Sequence, residues 1–580
     1  MQGARQEGGP GSEYAFLRFS FIFQLDSADW WRISFHRSCS EPFQNSRERM
    51  FISRVGLLVL SGLAVLSAFG CSSPEVPADV VFIGGSVWSG VPGEPMAEAL
   101  AVKAGFVQAV GTEREVRALR GRGTEVVRLN GRMVVPGFID SHTHFIPGGF
   151  QLSSVDLRDA DSREEFGARI VRFMRGLEPG KWIVGGDWDH EMWGGELPNK
   201  GWIDGGTLSN PVFVSRLDGH MGLANSLALE LAGITGSTPV PPGGEIVLDP
   251  ETGEPTGILK DEAMGLVSRV IPEPTEEELD KALDDAIGYA LSMGVTQTHH
   301  MGSWGDLETF RRARADGRLK MRVYSVVPIS PWERLRDFVE ANGKGDDYLW
   351  WGGLKGFVDG SLGSTTAWFY DSYTDDPGTS GLLTTDTASL RRWALAGDEA
   401  GFHLIIHAIG DRANDWLLGV YEEAVQRNGP RDRRFRIEHA QHLSPDAIGR
   451  FSDLGVIPAM QPYHAIDDGR WAEKRIGPER IKTTYAFRSL LDAGASLSFG
   501  SDWTVAPMDV RQGLFAAVTR RTTDGANPDG WVPEERISLE EALTAYTWGS
   551  AYAGFMEGKV GRLEFARYAD LVVLSKDLFA

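Results

Sequence analysis

Cysteine is nearly absent from this chain, since 580 residues include only two, Cys39 and Cys71. A disulfide scaffold needs several bridges, and zinc or iron–sulfur sites built from cysteine need several thiolates, so both classes are excluded. Basic residues are also in deficit, because 58 Lys and Arg face 80 Asp and Glu, a formal net charge of −22. Nucleic-acid binding needs a concentrated positive surface, so we expect no nucleic-acid partner.

Long apolar runs are scarce as well. The uncharged run at residues 55–69 is shorter than the roughly 20 residues that span a bilayer. Three arginines precede it, and AFGC ends it at Cys71. A basic segment, a short apolar segment and a small-residue end are the parts of a secretory signal. We interpret residues 50–71 as a lipoprotein-like signal peptide, with a plain secretory signal or a buried helix as the alternatives.

This interpretation makes Met50 the natural start of the chain. Residues 1–49 are then a non-native upstream extension, with a genuine N-terminal extension as the alternative. It also predicts an exported bacterial protein, either periplasmic or anchored in the outer membrane by a lipid on Cys71. We expect no other membrane contact, and the acidic composition indicates no particular oligomeric state.

The pattern of residue types along the remaining chain changes twice. Residues 78–135 contain short β-forming runs broken by glycine and charged turns, which predicts a small antiparallel sheet. Over residues 136–556, short apolar strands ending in polar turns alternate with helical patterns such as EEELDKALDDAIGYALSMG. This alternation favours an α/β fold with parallel strands, a (β/α)8 barrel. A Gly-, Pro- and Trp-rich segment, about 181–260, predicts an insertion above the barrel mouth, and 557–580 is again β-rich.

Histidines stand where several of the predicted strands end. His142 and His144 follow VVPGFIDS, and side chains two residues apart in a strand point to the same face. The strands HLIIH and FRIEH end in His407 and His439. Because the C-terminal ends of barrel strands converge on one mouth, we expect these imidazoles to meet there.

Two other residues extend this set. Asp502 ends the strand-like LSFGSD, and Lys355 lies inside LKGFVD. Several imidazoles with a carboxylate are a ligand set for Zn²⁺ or another divalent metal. Each histidine alone is equally well explained as a buried structural residue, whereas the whole set favours a metal site.

The motifs around these residues resemble those of the amidohydrolase superfamily of metal-dependent hydrolases. PGFIDSHTH, the two later strand-end histidines and the SD pair are similar to that superfamily. GGLKGFVDGSLGS, HAIGDRAND, RIEHAQ, MQPYH and FGSDW resemble its type 3 group, which includes N-substituted formamide deformylase-like proteins. The resemblance covers about residues 78–580. It implies a distorted (β/α)8 TIM barrel and a small β-sandwich formed by both chain ends, 78–135 and 557–580.

The resemblance also implies a metal centre of two zinc ions per chain. The implied ligands are His142, His144, Lys355, His407, His439 and Asp502. Lys355 would be carboxylated by CO₂, and its carbamate would bridge the ions and offset their repulsion. A lysine must be neutral to react with CO₂, which suits a buried position near cations. Asp502 is also the implied catalytic base, which takes a proton from water and passes it to the leaving amine.

Substrate contacts are implied in part by RLDGH, which resembles a substrate-facing strand end of the family. There Arg216 would hold a carboxylate or acyl oxygen and His220 would polarise a carbonyl, with an ordinary salt-bridged loop as the alternative. The full set assigned to substrate binding is Arg216, Asp218, His220, His299, Asp359 and His464. The family commonly has His-Asp where this chain has His299 and His300.

Together these features predict a metal-dependent hydrolase that cleaves a non-peptide C–N bond in a small-molecule linear amide, N-acyl or N-formyl. The alternatives are a mononuclear deaminase, an esterase or lactonase on the same barrel, and a catalytically inactive exported binding protein. Lys355 in its motif argues against the first alternative, and the complete ligand set argues against the last. Because family members usually continue beyond ADLVVLSKD, we expect the C-terminal part of the sandwich to be truncated.

Overall fold

The computed structural model describes residues 76–580. The predicted upstream extension at 1–49 and signal peptide at 50–71 lie outside the described residues. Across residues 76–580, no helix is both long enough and apolar enough to cross a membrane.

The first part of the described chain forms short strands in two small sheets. Its elements are β1 (Val80–Ile83), β2 (Ser86–Trp88), β3 (Met96–Ala97), β4 (Ala99–Lys103), β5 (Phe106–Gly111), α1 (Glu113–Ala118), β6 (Glu125–Arg128) and β7 (Met133–Pro136). One sheet has the order β5-β4-β1-β6. It is mixed, not antiparallel as predicted, because the chain returns through α1 and lays β6 parallel to β1.

An inserted sheet follows the first barrel strand. The elements of this part are β8 (Phe138–Thr143), α2 (Phe145–Gln151), β9 (Val155–Asp156), α3 (Arg163–Met174), β10 (Gly185–Trp188), β11 (Phe213–Arg216), β12 (Met221–Ala224), α4 (Ser226–Ala232), β13 (Gly244–Leu248), β14 (Pro255–Asp261) and α5 (Gly265–Ser268). The sheet has six strands in the order β13-β14-β12-β11-β10-β9 and begins earlier in the chain than residue 181. Its apolar side chains, such as Leu157, Phe166 and Trp188, form a cluster of their own.

Strands and helices then alternate up to residue 460, and helices predominate in the rest of the chain. They are α6 (Glu276–Ser292), β15 (Val295–Met301), α7 (Trp304–Ala315), β16 (Arg322–Pro328), α8 (Glu333–Asn342), β17 (Leu349–Phe357), α9 (Thr387–Glu399), β18 (His403–Ala408), α10 (Asp411–Asn428), β19 (Arg436–His439), α11 (Pro445–Leu454), β20 (Ile457–Met460), α12 (Pro462–Asp468), α13 (Ala472–Arg480), α14 (Phe487–Asp492), β21 (Ser498–Phe499), α15 (Val510–Thr519), α16 (Leu539–Thr544), α17 (Ser550–Ala553) and β22 (Leu571–Leu574).

Seven of these strands form a parallel barrel together with β8. The sheet order is β21-β20-β19-β18-β17-β16-β15-β8, and every neighbouring pair is parallel. Just after β21, the amide of Asp502 donates to the carbonyl oxygen of His142 (2.8 Å), which brings the two edges of the sheet together. The predicted (β/α)8 barrel is therefore confirmed.

Burial explains the apolar runs within barrel strands such as β18. Strands such as β18 are buried at every residue, because helices cover the outer face and side chains fill the interior. Helix α6 begins where Thr275 and Glu278 form a capping box. At the other end of the chain, β22 pairs antiparallel with β7, so the last strand joins a sheet of the first segment. The β-sandwich as a whole stays a prediction.

Candidate active site

The C-terminal ends of the barrel strands surround one cavity at the barrel mouth. The space there is about 630 Å³ when the part open to solvent is included. All six predicted metal ligands line it: His142, His144, Lys355, His407, His439 and Asp502. Residues from five different segments of the chain therefore meet because parallel barrel strands end at the same edge.

Asp502 lies in the middle of this group. Its Oδ1 is 3.3 Å from Nε2 of His144 and 3.5 Å from Nε2 of His142. Its Oδ2 is 3.9 Å from Nδ1 of His439. Within the described part of the chain, Oδ1 is buried and has no hydrogen-bond partner. A buried carboxylate oxygen is costly unless something pairs with it, and a cation is a suitable partner.

Three of the histidines each contact a protein acceptor through one ring nitrogen. Nδ1 of His142 contacts the carboxylate of Glu438, and Nδ1 of His439 is 2.8 Å from Oε1 of Gln461. Nε2 of His407 is 3.0 Å from a backbone carbonyl oxygen. Metal-binding histidines commonly donate one ring N–H to such an acceptor, which fixes the tautomer and leaves the opposite nitrogen for the metal.

Burial sets the protonation state of these groups. It lowers the pKa of His142, His407 and His439 well below the usual range, so the rings are neutral near pH 7 and each offers a lone pair. Burial also lowers the pKa of Lys355 to about 8, although two nearby carboxylates oppose this shift. Its Nζ lies 3.3 Å from Nε2 of His142. A fraction of this amine is therefore neutral near pH 7, as reaction with CO₂ requires.

Two groups of donor atoms have the compactness of a metal site. Ligand atoms of His142, His144 and Asp502 lie within 4.8 Å of one another, and so do those of His439, His464 and Asp502. Nε2 of His464 is also a buried atom that no hydrogen bond satisfies among residues 76–580. The sequence assigned His464 to substrate binding, whereas the structure places it beside the candidate ligands. Imidazole and carboxylate donors at this spacing fit a divalent metal.

The inserted sheet supplies another wall of the cavity. Arg216 lines this wall, but its three guanidinium nitrogens donate to His190, Asp218 and Asp189 at 3.2, 2.7 and 3.0 Å. Asp218 also accepts from the hydroxyl of Ser361. Arg216 and Asp218 are therefore partners within a buried ion-pair network that shapes the wall.

His220 is a cationic group of the cavity wall. Its Nδ1 is 2.6 Å from Oδ1 of Asp261, and its ring centroid is 5.2 Å from that of His407. Burial alone would lower the pKa of His220, but the hydrogen bond and charge of Asp261 outweigh it and raise the pKa to about 9. His220 thus presents a protonated ring to the cavity near pH 7, and an imidazolium can donate to a carbonyl oxygen.

The structure places two of the predicted substrate contacts away from the cavity lining. His299 lies inside the barrel, where its Nδ1 is 2.9 Å from Nη1 of Arg436 and its Nε2 is 3.1 Å from Nε2 of Gln297. Asp359 is fully buried and accepts three backbone N–H groups, with Oδ1 3.6 Å from Nε2 of His407. Both residues support neighbouring groups and do not line the cavity.

The sequence model of the Amidohydrolase family matches residues 125–580, well over half of the chain. The chain belongs to the amidohydrolase family. The predicted membership in its type 3 group is confirmed, and this amidohydrolase is a hydrolase of a metal-dependent family.

Several relatives resemble this amidohydrolase over most of its length. It is 40% identical over 513 residues to Protein LONG AFTER FAR-RED 3 of Arabidopsis thaliana, and the match covers 86% of this chain and 88% of that protein. It is 31% identical over 498 residues to N-substituted formamide deformylase of Arthrobacter pascens, with 83% and 90% covered. A crystal structure described as an uncharacterized metal-dependent hydrolase from Pyrococcus horikoshii OT3 superposes with a TM-score of 0.70 at 30% identity, covering 86% and 97%.

Sequence reasoning missed three residues that hold histidines of this amidohydrolase in place: Glu438, Gln461 and Asp261. Glu438 had a signal, because it lies two residues after Arg436 on one face of a strand that ends in a candidate ligand. The other two come from separate segments and have no spacing signal.

Backbone conformation marks the same site. His439, Asp502 and Asp261 have positive φ angles of 73, 58 and 46°. Such angles are uncommon for residues other than glycine, and strained residues cluster at functional sites. At His439 the positive φ angle turns the chain and ends the alternation of side chains between the two faces of the strand. The His439 ring and the carboxylate of the preceding Glu438 therefore both face inward in the amidohydrolase.

Proposed function

We propose that this amidohydrolase hydrolyses a non-peptide C–N bond, the linear amide of an N-acyl or N-formyl amine. The observation that carries the proposal is the buried Oδ1 of Asp502, which lies without a hydrogen-bond partner among the described residues and faces the imidazoles of His142 and His144. Similarity over most of the chain to an N-substituted formamide deformylase supports this choice of bond.

The residues that would hold the metal are those of the cavity. Two zinc ions and a carbamate on Lys355 are the proposed cofactors, with the other ligands His142, His144, His407, His439 and Asp502. When bound, divalent ions at such a site act as Lewis acids on the attacking water and on the substrate carbonyl. The neutral rings and the partly neutral amine of Lys355 support this assignment.

The protein's own groups then handle the protons and the carbonyl oxygen. Asp502 accepts a proton from the attacking water, whose oxygen bonds to the carbonyl carbon, and returns it to the nitrogen as the C–N bond breaks. His220 donates to the carbonyl oxygen, where negative charge accumulates. The products are a carboxylic acid and an amine, with no covalent intermediate on the protein.

A paired substrate screen tests this function. The zinc-loaded protein is given the N-formyl and N-acetyl derivatives of one aromatic amine and a formate ester of the matching alcohol, and released amine or alcohol is measured. We expect amine release that a chelator abolishes and that Asp502→Asn largely removes. The matched control is Asp204→Asn, a partly exposed carboxylate of the inserted segment whose side chain, among residues 76–580, accepts only from Ser226. Cleavage of the ester alone would contradict the proposed bond, and no turnover of any substrate would contradict hydrolysis.

A further inference from the structure

Asp261 ends strand β14 at the edge of the cavity wall. Its backbone has φ 46° and ψ −124°, a conformation that residues other than glycine rarely adopt. Its side chain is 1% exposed. Backbone strain of this kind persists only where surrounding contacts enforce it, and such positions cluster at functional sites.

The contacts of Asp261 converge on one residue, His220. The backbone amide of Asp261 donates to the carbonyl oxygen of His220 (3.0 Å), and Oδ1 of Asp261 is 2.6 Å from Nδ1 of the same histidine. One residue therefore holds both the main chain and the ring of His220. The second carboxylate oxygen is buried and has no hydrogen-bond partner among residues 76–580. The ring of His220 is therefore the hydrogen-bond partner of this carboxylate within the described part of the chain.

The orientation of the ring follows from this contact. With Nδ1 bound to the carboxylate, Nε2 lies on the opposite edge of the ring, and His220 lines the cavity beside His407 and Lys355. A carboxylate partner fixes the direction of an imidazole ring. Without this bond, rotation about the side-chain torsions would direct Nε2 away from the reacting carbonyl.

We propose that Asp261 is a positioning residue, which holds His220 with its Nε2–H directed at the carbonyl oxygen of the substrate. This inference rests on the proposed function, because it gives His220 its role in amide hydrolysis. It assigns to the inserted sheet, and not only to the barrel, a share in stabilising the charge that develops on that oxygen.

A double-mutant cycle separates positioning from simple structural support. Asp261→Ala is compared with wild type, and again in the background of His220→Gln, with kcat and KM measured on the amide. We expect Asp261→Ala to lower kcat by about 10–100-fold, as loss of a carboxylate partner of a functional histidine does, with bound zinc unchanged. In the His220→Gln background the same change should have no further effect, because the residue through which Asp261 acts is gone. Asp261→Asn, which retains an acceptor oxygen, should fall between wild type and alanine.

Equal losses in both backgrounds, or a lower Tm with an unchanged kcat, would overturn the proposal and leave Asp261 as a structural anchor. A readout without turnover keeps the test independent of the proposed function. In histidine-¹⁵N-labelled protein, the imidazole signal that disappears in His220→Gln should shift in Asp261→Ala, because Nδ1 loses its carboxylate partner, and stay unchanged in the control Asp204→Asn. An unchanged signal in Asp261→Ala would refute positioning even if the wild type cleaves none of the substrates.

Discussion

Two groups of buried histidines in this protein differ in how their ring nitrogens are used. The cavity histidines are His142, His407 and His439, and the saturated histidines are His299, His403 and His442. Each cavity histidine has one nitrogen on a protein acceptor. The opposite nitrogen of His142 lies 3.3 Å from Nζ of Lys355, itself a candidate ligand, and those of His407 and His439 have no hydrogen-bond partner among residues 76–580. Each saturated histidine has a protein partner on both nitrogens, as in His403, whose nitrogens contact Tyr324 and a backbone carbonyl at 3.1 and 2.6 Å.

The difference separates ligands from structural residues better than burial does, because both groups are buried and both have a lowered pKa. A buried polar atom needs a partner. Where the protein supplies partners on both sides of the ring, nothing more is required, and where it supplies one, the remaining nitrogen is available to a metal. His442, with Thr484 on one side and Gln441 on the other, illustrates the first case.

The largest expected effect concerns Asp502, the carboxylate that faces the cavity histidines. Asp502→Asn retains the shape and one ligating oxygen but cannot accept a proton, so we expect turnover to fall by about 10²–10⁴-fold, with near-normal folding and modest metal loss. Amide hydrolysis should suffer more than that of an activated ester, because only the amine needs the returned proton. Steady-state rates on both substrates check this, and equal losses would indicate a metal-holding role alone.

The next effect concerns Lys355. Lys355→Ala should lose most bound metal and most activity, and a small added carboxylic acid should restore part of both by replacing the carbamate. Burial lowers the pKa of Lys355 to about 8, and only the neutral amine reacts with CO₂. Metal uptake by metal-free protein with bicarbonate should therefore increase as the pH rises through 8.

The matched control is Lys559→Ala, a half-exposed lysine that is paired with Asp347 and does not line the cavity. It should bind metal as the wild type does at every pH. Full metal content in Lys355→Ala, or uptake that does not depend on bicarbonate, would argue against carboxylation.

A smaller effect is expected for the saturated histidine that the sequence placed at the substrate. His299→Ala removes the partner of Arg436 inside the barrel, and an unpaired buried donor costs about 1–3 kcal/mol. We expect a lower free energy of unfolding in chemical denaturation, with zinc content and KM unchanged. A raised KM without a loss of stability would instead return His299 to the substrate site.

The smallest effect is expected at the N-terminus. A chain that begins at Ser72 omits the predicted extension and signal peptide, and it should be soluble and as active as the full chain. In a bacterial host, Cys71→Ser should abolish lipid attachment, as intact mass and membrane fractionation would report. Loss of folding in the shortened protein would contradict the signal-peptide interpretation.

The barrel and its ligands were predictable because two simple regularities apply. Strand–helix alternation indicates a parallel barrel, and the ends of parallel strands meet, so residues far apart in sequence such as His142 and His407 were expected at one place. Depth inside the barrel was not predictable. Adjacent residues in a strand face opposite sides, which assigns His299 to the interior and His300 to the helix side. The alternation does not show whether an interior residue lies at the mouth or in the layer beneath it.

The residues that hold the histidines were less accessible to sequence reasoning. Gln461 and Asp261 act on residues from other segments, and their positions follow from tertiary packing and from backbone angles that no periodicity indicates. Arg216 was misleading for a related reason. Its type suggested a free cation for a substrate, whereas the fold surrounds it with its own acceptors.

Metal analysis of one substitution in each histidine group tests the central distinction most directly. Zinc per chain is measured by elemental mass spectrometry for wild type, His407→Gln and His442→Gln, each purified in the same way. The account predicts two ions per chain in wild type, a clear loss in His407→Gln and wild-type content in His442→Gln. Equal zinc content in the two variants, whether both retain it or both lose it, would contradict the claim that a cavity-facing ring nitrogen marks the metal ligands.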